Sequence, residues 1–219
     1  MATIENARIK FPCRLSYVYL TEHRFNEKSE KNEYSVVCLI PKEDEATVKK
    51  IRSAIKKVSV ARWGEDLKTG PKDFRQRGYF DEHFSRDGKD GYFLRSGNET
   101  DSEEKQNCVY FTARDAALPP KMPKQPQCAK MLEGGKWKRL EGQAVDEIYS
   151  GCMAEVVIDV YAYESKKGDK GVGCSLKAVM KTGDGERLSG SSPVNLNEFF
   201  EGGEAEEEFM GGEDDNFNV

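Results

Sequence analysis

Residues 148–165 and 172–181 read IYSGCMAEVVIDVYAYES and VGCSLKAVMK, and the segment KKGDKG at 166–171 joins them. Both runs are rich in β-branched and aromatic residues, which favour strands. A short connection of glycine and lysine between two such runs is typical of a β-hairpin. This is the strongest strand signal in the chain, and it indicates a long hairpin near the end of the folded part.

Four further strands are expected before this hairpin. Residues 7–20 alternate in period two, and Pro12 interrupts the alternation, which predicts an edge strand with a bend. Residues 33–40, EYSVVCLI, predict a second strand that pairs with the first across a polar turn at 26–32. Two more strands are predicted at GYFLR and CVYFTA, which are residues 91–95 and 108–113.

A single helix is expected between the second and third strands, over residues 44–63. Val48, Ile51, Ile55 and Val58 recur at helical spacing, which indicates one buried helix face. Acidic residues at the start of this segment favour the helix dipole. The opposite face is basic, and such a face is usually a solvated surface.

Three segments lack a regular pattern. Residues 67–90 predict a long loop, and an insertion at about 115–147 holds four prolines among six basic residues, so it is expected to be irregular, basic and mobile. Residues 190–219 are rich in glycine and carboxylates, which predicts a flexible, disordered acidic tail. We therefore expect one domain, residues 1–189, followed by the tail.

The tally of strands decides the fold class. Six strand signals and one helix favour a mainly β fold of the small-barrel type with long loop insertions. A parallel α/β sheet would need helices between most of its strands.

Composition limits the class of protein. The chain of 219 residues is 37% hydrophobic and 33% charged, and no apolar run is long enough to span a membrane. No secretory signal is recognised at the start, so a cytoplasmic protein without membrane association is expected. Six widely spaced cysteines favour reduced thiols, and two histidines leave little for a metal site, so neither a metal nor a cofactor is expected.

The charge is divided unevenly along the chain. Residues 201–219 contain eight carboxylates and no lysine or arginine. The rest of the chain holds 31 of the 39 acidic residues and all 34 basic ones, so it carries a net charge of +3 although the whole chain carries −5. A mildly basic body with a polyanionic tail is predicted.

Motifs for catalysis are lacking in the sequence. It has no phosphate-binding glycine loop followed by Lys-Ser or Lys-Thr, no nucleophile elbow and no histidine spacing for a metal. Asp159 is a carboxylate placed inside a predicted strand, and no partner for it is evident. The sequence therefore predicts a protein that is not an enzyme.

Aromatic and basic residues are interleaved on the predicted strands, a combination that suits single-stranded nucleic acid with its charged backbone and flat bases. If the aliphatic face of residues 156–162 closes a barrel, Tyr161 and Tyr163 point outward. Their neighbours in the turn and on the returning strand are Lys166, Lys167 and Lys177. The other candidates are Lys10, Arg14, Tyr17 and Tyr19 in the first strand, Lys89, Phe93 and Arg95 around GYFLR, and Trp137 in the insertion. The alternative is that these aromatic side chains only pack within the fold.

Several of these segments resemble a known family. YSGC and GCSLKAV in the hairpin, KNEYSVVCLIPKED at 31–44 and GYFLRSG at 91–97 are similar to phage and prophage single-stranded DNA-binding proteins, once catalogued as a domain of unknown function. The resemblance spans roughly residues 5–182. It implies a five-stranded OB-fold-type barrel, no enzymatic activity, and protection of single strands in phage replication and recombination.

The acidic tail fits the same interpretation. A mobile polyanion can compete with DNA for a basic groove and can recruit replication or recombination proteins through a short acidic-aromatic motif. Here that motif is formed by Glu213, Asp214, Asp215 and Phe217. The alternative is a tail that only aids solubility.

The leading hypothesis is a non-sequence-specific single-stranded DNA-binding protein of DNA replication, recombination or repair, acting in the bacterial host cytoplasm if phage-encoded. The other hypothesis is a non-catalytic phage adaptor or structural protein whose acidic tail binds a protein partner. The sequence leaves open whether the protein is a homo-oligomer.

Overall fold

The computed structural model describes residues 6–27, 29–64, 94–164 and 170–188. All of these lie in one compact unit, Met1–Ser189, and the second unit, Gly190–Val219, lies outside the described residues. The predicted loop at 67–90, most of the predicted GYFLR strand and the predicted acidic tail lie outside them as well, so these remain predictions.

Eight strands and one α-helix form the described part of the chain. The strands are β1 (Ala7–Asn26), β2 (Lys31–Pro41), β3 (Arg95–Ser96), β4 (Cys108–Ala117), β5 (Gln127–Met131), β6 (Trp137–Leu140), β7 (Met153–Glu164) and β8 (Lys170–Gly183), and the helix is α1 (Glu45–Trp63). Short 3-10 helices lie at Gly97–Glu99, Glu103–Lys105, Glu133–Gly135 and Gly142–Glu147.

Five of the strands close into a barrel. β1 pairs with β2, β2 with β4, β8 with β7 and β7 with β1, all antiparallel, while β4 and β8 pair in parallel and complete the ring. Phe11, Cys38, Phe111, Val160 and Leu176, one from each ring strand, are buried in its interior. The predicted mainly β, OB-fold-type barrel with one helix is confirmed.

The first strand lies inside the ring and not at an edge. Residues 7–14 of β1 pair with β7, and residues 14–26 pair with β2. The prediction of an edge strand is therefore wrong, because the strand uses a different flank in each half. Pro12 lies opposite Glu155, in the half of β1 that pairs with β7 and with no other described strand. A proline, which lacks a backbone N–H, is tolerated in a strand with one unpaired flank.

The helix follows the prediction closely. The side chain of Asp44 accepts a hydrogen bond from the backbone N–H of Thr47 at 3.1 Å and caps the first turn. Val48, Ile51 and Val58 are among the side chains buried on the face that packs against β1 and β7. One apolar face of α1 therefore covers the barrel where these two strands meet.

The insertion at 115–147 is not irregular, which corrects the prediction. All four of its prolines precede β5, and β5 and β6 form an antiparallel hairpin that pairs Met131 with Trp137. β5 also lies parallel to the second half of β8, from Gln127 opposite Ala178 to Lys130 opposite Lys181. That half of β8 is free to accept a partner because β4 pairs with β8 only near Ser175.

The C-terminal hairpin is confirmed with its predicted faces. Val156, Ile158, Val160 and Ala162 of β7 point into the core. The alternate residues, among them Tyr161, point outward.

Candidate functional site

The outer surface of the barrel brings aromatic and basic side chains of several strands together. In the strand registers, Tyr19 of β1 lies opposite Ser35 of β2, Ser35 opposite Arg114 of β4, and Arg114 opposite Ser175 of β8. Two residues earlier in β8, Gly173 lies opposite Tyr161 of β7. We call this surface the tyrosine–arginine belt, and its members are Tyr19, Arg24, Arg114, Tyr161 and Tyr163.

Two tyrosines form one end of the belt. The ring centroids of Tyr161 and Tyr163 lie 6.3 Å apart at an interplanar angle of 52°. Each ring covers a glycine of β8, because a Cβ atom at Gly173 or Gly171 would come within 3.0 or 2.5 Å of the ring above it. Tyr163 is exposed and Tyr161 half-buried, so the rings rest on the β8 backbone and reach solvent on their other side.

The surroundings of Tyr161 favour the neutral form of its hydroxyl. Burial raises the pKa of Tyr161 above its ordinary value, and nearby Cys174 and Tyr163 raise it further, while Arg114 acts in the opposite direction. A neutral phenol ring can lie beside a phosphate backbone without charge repulsion.

Two arginines and a buried carboxylate form the other end. Glu33 of β2 accepts hydrogen bonds from Arg24 Nη2 at 3.3 Å, Arg114 Nη1 at 3.4 Å and Asn26 Nδ2 at 3.1 Å. The guanidinium of Arg24 also lies 4.1 Å from the ring centroid of Tyr19, a cation–π contact. Since a guanidinium carries five N–H donors, both arginines keep donors that Glu33 does not use.

A second aromatic group lies further along the same face. The ammonium of Lys105 lies 5.2 Å from the ring centroid of Tyr17 and 5.3 Å from that of Tyr110, so it is held between the two rings. Ser16 Oγ donates to Glu104 at 3.1 Å and ties this segment to β1. Arg95 lies opposite Tyr110, which places two more predicted residues, Tyr17 and Arg95, on this side of the barrel.

The comparison with protein families decides where the chain belongs. The family model described as Enterobacter phage Enc34, ssDNA-binding protein matches residues 8–210. The chain belongs to this family. The resemblance to phage single-stranded DNA-binding proteins is thereby confirmed.

Solved structures of the Enc34 protein share the fold. The single-stranded DNA-binding protein from bacteriophage Enc34 in complex with ssDNA has a TM-score of 0.58 and 20% identity, over 83% of this chain and 89% of that one. Another structure of the single-stranded DNA-binding protein from bacteriophage Enc34 has a TM-score of 0.54 and 21% identity, over 88% and 89% of the two chains. Among curated proteins, none matches this sequence.

Three predicted basic residues of this Enc34-family chain are engaged by the fold. Lys10 donates to Glu155 at 2.8 Å, and Lys177 of β8 lies 3.6 Å from Asp115. Arg14 donates to the backbone carbonyls of residues 151 and 186 at 3.1 and 2.8 Å, which fastens the chain after β8 to the barrel. A contact of these three side chains with nucleic acid stays a prediction.

Trp137 lies on a different surface from the belt. It is 65% exposed in β6, opposite Met131. Next to Met131, Lys130 of β5 pairs with Lys181 of β8. Lys181 is eight residues along β8 from Gly173, the partner of Tyr161, and eight residues of strand span roughly 26 Å. The structure therefore does not bring Trp137 together with the tyrosines.

The remaining predicted site residues cannot be placed. These residues, which lie outside the described part of the chain, are Lys89, Phe93, Lys166, Lys167, Glu213, Asp214, Asp215 and Phe217.

Sequence reasoning missed Arg24, Arg114 and Glu33. The first and fourth strands were predicted to end at residues 20 and 113, whereas β1 and β4 continue to Asn26 and Ala117. Both arginines lie in these extensions, where polar residues interrupt the apolar alternation that signals a strand.

Asp159 does have a partner, contrary to expectation. Arg8 of β1 lies opposite Asp159 of β7 and forms two hydrogen bonds to its carboxylate, at 2.7 and 2.9 Å. The side-chain hydrogen bond from Arg8 lowers the pKa of Asp159 below its ordinary value. This carboxylate therefore fastens β7 to β1.

The cysteines and possible metal ligands form no second site within the described part of the chain. The six cysteines are free thiols, as predicted, and burial raises the pKa of Cys128 to about 11. Among the described residues, no group of three or more His, Cys, Asp or Glu side chains could hold a metal ion. No helix in the described ranges is long and apolar enough to cross a membrane.

Proposed function

We propose that this protein binds single-stranded DNA without reading its sequence, and that it acts by binding and not by catalysis in phage DNA replication, recombination or repair. The observation that carries the proposal is the tyrosine–arginine belt on the outer face of an Enc34-family barrel. We further propose that the protein acts in the cytoplasm of the bacterial host.

The belt suits both parts of a single strand. Arg24 and Arg114 offer charged, forked donors to phosphate oxygens, and Tyr161 and Tyr163 offer flat surfaces to bases. Stacking contributes about 1–3 kcal/mol per base and is tolerant of sequence, because every base has a flat face. In a duplex the bases are already stacked on each other, so only the phosphate contacts remain available.

Fluorescence titration of labelled oligo-dT and of a matching duplex, at low and moderate salt, tests the proposal. We expect the single strand to bind more tightly than the duplex. The affinity for the single strand should fall with salt by about 0.7 logarithmic unit per phosphate contact for each tenfold rise in salt. Lack of affinity for either form would refute the proposal and favour a phage adaptor or structural protein.

The acidic tail is proposed to compete with DNA for the belt and to recruit replication or recombination proteins through Glu213, Asp214, Asp215 and Phe217. The support is the division of charge, with eight carboxylates in residues 201–219 against a basic remainder. Deleting residues 201–219 should tighten oligo-dT binding at low salt, and the gain should shrink at high salt because screening weakens the competing tail.

A matched control keeps the tail at full length and replaces its eight carboxylates by Gln or Asn. This neutral tail should bind oligo-dT as tightly as the truncated chain. If the neutral tail instead behaves like the wild type, charge is not the basis of the competition. An unchanged affinity after truncation would leave partner binding or solubility as the function of the tail.

A further inference from the structure

We propose that Glu33 is the positioning residue of the belt: it holds Arg24 and Arg114 in the free protein in the orientation that receives the phosphates of a single strand. This inference rests on the proposed function.

The strand register places the carboxylate between the two arginines. Glu33 lies directly opposite Arg24 of β1. On the other side of β2, the neighbouring position on the same face, Ser35, lies opposite Arg114 of β4. One carboxylate can therefore reach guanidinium groups from both neighbouring strands.

The carboxylate of Glu33 is buried, whereas the two arginines that it binds are partly exposed. The side chain of Glu33 is 0% exposed, whereas those of Arg24 and Arg114 are 44% and 40% exposed. A buried carboxylate is costly unless it is paired and hydrogen-bonded, and the two arginines supply the positive charge that pairs with Glu33. In turn, each arginine is anchored at its inner edge while its outer edge faces solvent.

Anchoring benefits binding because a free arginine side chain loses rotamer freedom when it contacts a phosphate. Arg24 is fixed twice, by Glu33 and by the ring of Tyr19. Its guanidinium thus lies over an aromatic ring, and a guanidinium is also the kind of plane on which an unpaired base stacks. Glu33 therefore acts through both arginines without touching DNA itself.

The proposal can be tested because positioning and charge predict opposite effects on DNA binding when Glu33 is neutralised. Glu33→Gln removes one negative charge from the belt, so a purely electrostatic account predicts tighter binding and a steeper salt dependence. Positioning predicts weaker binding in spite of the gained charge. Arg24 donates to one carboxylate oxygen of Glu33 and Arg114 to the other, and in glutamine one of these oxygens is replaced by an NH2 group, which cannot accept a hydrogen bond.

Glu147→Gln is the matched control. Glu147 is likewise a carboxylate in an ion pair, but its partner is one lysine, Lys130, and it lies in a 3-10 helix outside the barrel ring. The two variants make the same change in net charge, so a difference between them reports the position of the carboxylate.

The experiment compares the full-length wild type, Glu33→Gln and Glu147→Gln in oligo-dT titrations over a range of salt. We expect Glu33→Gln to bind about tenfold more weakly than the wild type, and Glu147→Gln to bind as well or slightly better. Glu33→Gln binding as tightly as the wild type, or more tightly, would overturn the proposal. A wild type that does not bind oligo-dT would instead refute the proposed function.

A second variant covers the case in which Glu33→Gln does not fold. Glu33→Asp keeps the charge but shortens the side chain by one methylene, so it cannot reach both arginines. It should weaken binding with an unchanged salt slope. In NMR spectra of the free wild type, the Nε–H groups of Arg24 and Arg114 should be ordered, and side chains as mobile as free arginine would contradict the proposal.

Discussion

Replacing Tyr161 and Tyr163 together by alanine is expected to weaken oligo-dT binding by about 30-fold or more, since two stacked bases contribute at least about 2 kcal/mol. Both rings rest on glycines of β8 and reach solvent, so their removal takes away a surface for bases and leaves the core side chains of β7 in place. The salt slope should stay unchanged, because no positive charge is lost. Fluorescence titration at several salt concentrations measures both quantities.

The double replacement by phenylalanine is the control for these tyrosines. It keeps both rings and removes only the hydroxyl groups, so it should retain most of the affinity for oligo-dT. The melting temperature of each variant must also be measured. If the alanine variant unfolds, the rings belong to the packing of the barrel; if it folds and binds normally, they are not the stacking surface.

The largest expected effect on stability comes from Phe11→Ala. Phe11 of β1 is 1% exposed, and its ring centroid lies 5.7 Å from that of Phe111 of β4, across the interior of the barrel. Truncating a buried phenylalanine lowers the free energy of unfolding by about 3–5 kcal/mol, because contacts are lost and a cavity remains. For a chain of this size the melting temperature should fall by roughly 6–20 °C.

Phe25→Ala is the control for Phe11→Ala, since the two residues lie on the same strand. Phe25 is 54% exposed, so its truncation should change the free energy of unfolding by less than about 0.5 kcal/mol. Urea unfolding of both variants checks the difference. Equal losses of stability would mean that the interior contact between β1 and β4 is not the main support of the barrel.

Much of the barrel could be predicted from the sequence because most of β4 and β7 alternates between inward and outward side chains. The clearest example is β7, where Val156, Ile158 and Val160 face the core as predicted and Tyr161 faces outward. Because successive side chains of a strand point to opposite faces, the sequence also indicates which face of the hairpin is available to a ligand. The tyrosine end of the belt was therefore visible before the structure.

The arginine end was not visible for a physical reason. Pairing within the ring extends β1 and β4 beyond their apolar residues, so Arg24 and Arg114 lie in strands although their sequence neighbourhood is polar. In its buried position Glu33 is paired with arginines from two other strands, β1 and β4. The pattern of residues around Glu33 in the sequence cannot indicate partners on other strands. The β5–β6 hairpin was missed for a related reason, because its short, polar strands are stabilised by the free edge of β8.

Under the proposed mode of binding, the parallel pairing of β4 with β8 also links assembly of the barrel to its ligand. Its register in the described residues is the single pair Arg114 and Ser175, which are 61 positions apart in the chain, so the ring closes through a contact that is long-range in sequence. Arg114 stands on one side of this seam, and Tyr161 lies across β8 on the other. A strand of DNA bound to both side chains, as proposed, would span the seam. By mass action such a ligand would favour the closed ring over any state in which β4 and β8 have separated.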